Sequence, residues 1–134
     1  MLTANDLAKI NNDNPTNQGV KLGDALARGL ITVQTTRAAS STAASTFVCP
    51  VGIKILFVSV LATATSTNGT LKLGVTAGDI TNTIDCATDT AQSYSGNITP
   101  ARQTVQAGTS ITITAAGDSA ATVEGEVVLY GVAV

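Results

Sequence analysis

Alternation of apolar and polar positions dominates this chain from residue 31 onward. Ile31–Arg37 has the period-two pattern of a strand, and Ala38–Ser45 follows as a linker of small residues. In the next run Ile53, Ile55 and Phe57 alternate, and then Val58, Val60 and Ala62 continue one step out of phase. The slip between Phe57 and Val58 predicts a β-bulge, or a strand that is apolar on both faces. Thr65–Gly69 is turn chemistry, after which Leu71, Leu73 and Val75 resume strict alternation. Asn68-Gly69 between two such runs predicts a β-hairpin, because both residues tolerate positive φ.

Beyond the turn at Ala77-Gly78-Asp79 the apolar runs shorten. Strands are expected over Ile80–Ile84, Thr90–Tyr94 and Arg102–Val105, and then over Ser110–Ala115 with Ile111 and Ile113 facing inward. Gly117-Asp118 turns the chain again. In Thr122–Val134 one phase carries Val123, Val127, Leu129 and Gly131, and the other carries Val128, Tyr130, Val132 and Val134. Apolar residues on both faces are expected of a central strand, or of one covered by another subunit. Seven to nine strands, with turns every 8–12 residues, predict an all-β antiparallel sandwich of jelly-roll type.

The first 31 residues follow a different rule. Thr3 and Asp6 resemble a capping box, and Leu7 and Ile10 share one face of the short helix they would open. The polar stretch Asn11–Asn17 separates this from Leu22, Leu26 and Leu30, which are spaced for one helical face, with Asp24 early and Arg28 late. Neither piece reaches the roughly 12–15 residues that an isolated helix needs in water. Both therefore require a docking surface, on this chain's own sheet, on a neighbouring subunit or on a larger partner. The chain divides into an arm (1–31) and a β-sandwich domain (32–134).

Composition narrows the function. Thr and Ala supply 42 of the 134 residues, and His and Trp are absent. Without His no Ser-His-Asp or Cys-His arrangement exists, and the Lys residues are isolated within element patterns, so no catalytic residue is assigned. Asp79, Asp85 and Asp89 lack the ligand spacing of a calcium loop and are expected as turn formers, and no phosphate-binding glycine loop occurs. No metal and no cofactor is expected.

The seven Lys and Arg residues are scattered and the net charge is −2, which argues against nucleic-acid binding. No apolar run is long enough for a membrane span, and no signal peptide is visible, so synthesis in a cytoplasm is expected, with Cys49 and Cys86 as semi-buried thiols. Glu124 and Glu126 share a strand face, which suggests a solvent-facing edge or a contact with a cation such as Lys54 or Lys72 of another subunit. With only two Phe and two Tyr, the core is thin, and association into a homo-oligomer is expected to bury further strand surface.

Across residues 45–134 the order of elements resembles the small β-sandwich proteins of tailed-phage virions, the capsid decoration (cement) and head-fibre proteins. The likeness is carried by Phe47-Val48-Cys49-Pro50-Val51-Gly52-Ile53-Lys54-Ile55 and by Asn68-Gly69-Thr70-Leu71-Lys72-Leu73-Gly74-Val75. Ala107-Gly108-Thr109-Ser110-Ile111-Thr112-Ile113-Thr114 and Gly125-Glu126-Val127-Val128-Leu129-Tyr130 complete it. Gly19–Asp24 is similar to the capsid-proximal N-terminus of some head-fibre proteins. The resemblance implies a homotrimer on the capsid surface of a virion, clamping the major capsid protein by non-covalent contacts. Leu7, Ile10, Leu22, Leu26 and Leu30 would then provide attachment. The alternative is a fibre module on the same fold that binds a host surface or a glycan, against which the scarcity of Trp and Tyr counts.

Overall fold

The computed structural model describes residues 30–88 and 92–134, and of Leu30 its backbone. Ten strands form two antiparallel sheets packed as a sandwich. They are β1 (Leu30–Arg37), β2 (Ala44–Val48), β3 (Ile53–Ala64), β4 (Thr70–Val75), β5 (Gly78–Asp79), β6 (Ile84–Asp85), β7 (Gln92–Ser95), β8 (Thr104–Val105), β9 (Ser110–Ala116) and β10 (Glu124–Ala133). The first sheet has the order β1-β10-β3-β7, with β8 also on β3, and the second β2-β9-β4-β5, with β6 also on β4. Most successive strands therefore alternate between sheets. With the pairs β5/β6 and β7/β8 each counted as one interrupted strand, this is the eight-stranded jelly roll that the sequence predicts.

The core lies where the inward phases meet. Val33, Ile53, Ile55, Val58, Val60, Val127 and Leu129 of the first sheet pack against Leu71, Leu73, Ile111 and Ile113 of the second, all at 4% exposure or less. The phase slip in β3 is a bulge. Phe57 pairs with Tyr130 and Ile55 with Gly131, so Leu56 has no partner on β10. Ile55 and Val58 thus both face the core, with two residues between them that do not. A Cβ on Gly131 would run into the Lys54 carbonyl oxygen, so only glycine lets β10 approach β3 at this point.

The expected Asn68-Gly69 hairpin does not form. The turn itself is present, with the Gly69 amide donating to the Ser66 carbonyl at 2.7 Å and Asn68 at φ 56°. It carries the chain from the first sheet into the second, and β4 pairs with β9, β5 and β6, never with β3. Turn chemistry encodes the reversal but leaves open which strand receives the chain's next hydrogen bonds. The jelly-roll alternation decides that.

Smaller departures follow from the same pattern. Gly78-Asp79, expected as a turn, pairs with β4. Ile80–Ile84 is a strand only at its last residue, while Thr81 makes a lone bridge to Ile98 and its hydroxyl accepts from the Leu73 amide. The linker after β1 ends at Ala43, two residues before its expected end at Ser45, and β2 begins at Ala44. Ile31–Arg37 is the expected first strand, but it starts one residue earlier, with Leu30, read by sequence as part of a helical face, paired to Val132. Leu30 therefore opens a strand and does not end a helix.

Candidate interaction site

The outward face of the first sheet carries a grouping of half-buried apolar and aromatic side chains beside the exposed Tyr94. Register sets Lys54, Phe57, Ser59 and Leu61 of β3 beside Val132, Tyr130, Val128 and Glu126 of β10. Across β3 lie Tyr94 and Gln92 of β7, and across β10 lie Thr32, Gln34 and Thr36 of β1. The Phe57 ring stacks on that of Tyr130 and stands 6.3 Å from that of Tyr94, which is 61% exposed. Ser59, which is buried, accepts a hydrogen bond at 2.9 Å from the Gln92 amide, closing the patch at its centre. An open depression of about 220 Å³ lies beside the patch, lined by Gln34, Thr35, Thr36, Glu126, Val127 and Val128.

This face follows from two sequence features read above. The bulge at Leu56 turns Phe57 outward, and the second apolar phase of β10 supplies Val128, Tyr130 and Val132. β10 is central, as one of the two sequence readings had it, and its outer phase remains half-buried. The aromatic grouping itself was not foreseen, because it needs the register of three strands.

Arg37 is another feature the sequence reading missed. It is fully buried, on the inward phase shared with Val33. Its guanidinium donates to the carbonyls of Val123, Ala38 (3.0 Å), Thr42 (3.1 Å) and Ala43 (3.2 Å). It thereby ties the end of β1, the following linker and the entry to β10 into one corner. Glu124 reinforces the corner by accepting from the Ala39 amide at 3.0 Å. Arg37 shares its phase with Ile31, Val33 and Thr35, and that was the available signal.

Of the residues expected to provide attachment, Leu7, Ile10, Leu22 and Leu26 lie outside the described residues, and Leu30 is described by its backbone pairing with Val132. Asp85 is a turn former, accepting from the Ala87 amide at 2.9 Å, and Asp89 lies outside the described residues. Asp79 pairs with Lys72 of the same chain at 3.0 Å. Glu126 is exposed on the outward face, at the opposite end of β10 from Lys54. Cys49 and Cys86 are both buried free thiols, and burial pushes the Cys86 pKa up to about 11. Among the described residues no three His, Cys, Asp or Glu side chains gather as a metal set would require, and no helix is long and apolar enough to cross a membrane.

No protein-family model matches the chain, and no curated protein sequence does. In fold it is similar to a serine protease of Aeromonas sobria, at 9% identity and a TM-score of 0.50, over 76% of this chain and 27% of that one. The chain thus spans about a quarter of the protease, and the likeness is one of fold. It is also similar to a chain of the cyanophage Pam1 capsid asymmetric unit, at 20% identity and a TM-score of 0.46, over 77% of this chain and 83% of that one.

Proposed function

We propose that this chain is a structural protein of a phage virion, a non-enzymatic cement protein that decorates an icosahedral capsid and holds the major capsid protein by non-covalent contacts. The observation that carries the reading is the outward face of the first sheet. It sets the stacked Phe57 and Tyr130, the exposed Tyr94 and the outer phase of β10 side by side on one sheet face, for which a protein surface is a fitting ligand. The likeness of residues 45–134 to decoration and head-fibre proteins supplies the kind of assembly, a capsid surface, and the expected oligomer, a trimer. Residues 1–29, with Leu7, Ile10, Leu22 and Leu26, are in this reading the capsid-binding arm.

Co-sedimentation with undecorated capsids of the phage that encodes the chain tests both parts. Full-length protein is expected to sediment with the capsids, and the folded 30–134 fragment, which keeps the aromatic face but lacks the arm, to sediment more weakly. A full-length protein that stays in solution overturns the capsid role. Undiminished binding of the fragment overturns the role of the arm.

One observation favours a second reading, a glycan-binding fibre module. Tyr94, Phe57 and Tyr130 together offer an aromatic platform of the kind that sugars stack on. A glycan array separates the two. A ligand bound by the native chain and lost in Tyr94→Ala replaces the cement reading.

A further inference from the structure

We infer that the free edge of β1 is a self-association site, which pairs antiparallel with β1 of a second copy across a twofold axis. β1 ends the first sheet, and among the described residues nothing pairs with its outer side. An open strand edge presents a row of unpaired amide and carbonyl groups, and proteins that leave one free usually guard it with charge, proline, a bulge or brevity. β1 has none of these guards. It runs for eight residues, Leu-Ile-Thr-Val-Gln-Thr-Thr-Arg, with no proline and an unbroken register against β10. Its one charge, Arg37, is turned inward and buried. Beside it, on the same side of the sandwich, β2 ends the second sheet, equally uncharged and with Val48 62% exposed. Arg37, bonded to Thr42 and Ala43, fixes the two strand ends together. The opposite side is guarded, since its strands are short, two to four residues each, and Asp79 and Asp85 lie on them.

The occupant follows from self-complementarity. Residues directly opposed in an antiparallel pair face the same way, so even positions, among them the exposed Thr32, Gln34 and Thr36, must meet even ones, and odd, inward positions odd ones. Two twofold registers of maximal overlap satisfy this, one centred on Val33 and one on Gln34. The Val33 register opposes Thr32 to Gln34 and Thr36 to Leu30 at even positions, with Val33 meeting itself and Ile31 meeting Thr35 within. The Gln34 register opposes Gln34 to itself and Thr32 to Thr36, with Val33 meeting Thr35 and Ile31 meeting Arg37 within, and neither opposes like charges. The result is one sheet continued through two copies, an isologous contact. It rests on the proposed function only in taking the chain to be a homo-oligomer. Where the chain is trimeric, this contact joins one trimer to another.

The test is native mass by light scattering on the full chain, with Gln34→Lys, Gln34→Glu and their equimolar mixture. In either register the two copies of residue 34 stand directly opposed or one diagonal step apart, within reach for charges to act. The native chain is expected to have an even number of copies, two or six. Each charged variant, folded by circular dichroism, is expected at half that mass, and the mixture at the full mass again. An odd-numbered assembly, or an even one that both variants leave unchanged, overturns the β1 contact and leaves the capsid reading standing. A native monomer overturns both the contact and the oligomer.

Discussion

The Phe57 ring lies flat against that of Tyr130, with centroids 4.4 Å apart and 10° between planes, on the solvent side of paired strands. The Leu56 bulge places it there, because without the extra residue Phe57 would keep the inward phase of Ile53 and Ile55. The stack braces the face proposed to meet a partner. A double-mutant cycle with Phe57→Ala and Tyr130→Ala, read by urea denaturation, is expected to give a coupling of about 0.5–1.5 kcal/mol. Coupling near zero would mean that the rings merely share a surface.

Arg37 predicts a larger loss. Removing its side chain leaves the buried Val123 carbonyl and the partly buried carbonyls of Ala38, Thr42 and Ala43 without their donor. Arg37→Ala is expected to cost about 3 kcal/mol or more, given about 1.5–3 kcal/mol for a hydrogen bond to a charged group and the added penalty of stranded acceptors. Arg37→Lys is expected to recover less than half of this, because an ammonium cannot span the carbonyls that the planar guanidinium reaches. Chemical denaturation midpoints of the two variants check both statements.

Gly131 makes a separate case. A methyl group there would overlap the Lys54 carbonyl oxygen and stand 2.7 Å from the Ile53 side chain. The contact on Lys54 is main chain, so relief requires β3 and β10 to separate beside the bulge. Gly131→Ala is expected to destabilise by about 2–3 kcal/mol, at the upper end of overpacking costs. Gly96→Ala, whose added Cβ meets nothing within 4 Å, is the matched control and is expected to be near neutral by thermal melt.

The apolar alternation legible in the sequence includes the inward phases of β1, β3, β4, β9 and β10, and these define the core. The bulge was legible as an apolar phase slip, a local signal, but its place was not: the slip reads between Phe57 and Val58, while the unpaired residue is Leu56 and Phe57 leaves the phase of Ile53 and Ile55. The Asn68-Gly69 hairpin failed for a non-local reason: the same turn serves a hairpin or a sheet-to-sheet crossing, and only the identity of β4's partners separates them. Arg37 failed because a charge closing a strand resembles a solvated end, although its phase pointed inward. The aromatic face required three strands in register, which no single window contains.

Cys86 supplies a pH-dependent prediction. Burial holds its thiol protonated up to about 11, from an ordinary value of 9.0, with a smaller push from the neighbouring Asp85 carboxylate and a backbone hydrogen bond from Leu71 acting the other way. The unfolded chain therefore releases this proton at lower pH than the folded one. Between the two values the folded state binds more protons, so stability falls as pH rises from about 9 toward 11 and is unaffected by this group below that window. Two pH units of separation correspond to a loss of about 2–3 kcal/mol at most across the window. The difference in unfolding free energy between the native chain and Cys86→Ala, measured at pH 8 and again at pH 10.5, isolates the effect from Lys and Tyr titration. The native chain is expected to lose more stability than the variant over that interval. Equal losses would show that the thiol titrates alike in both states.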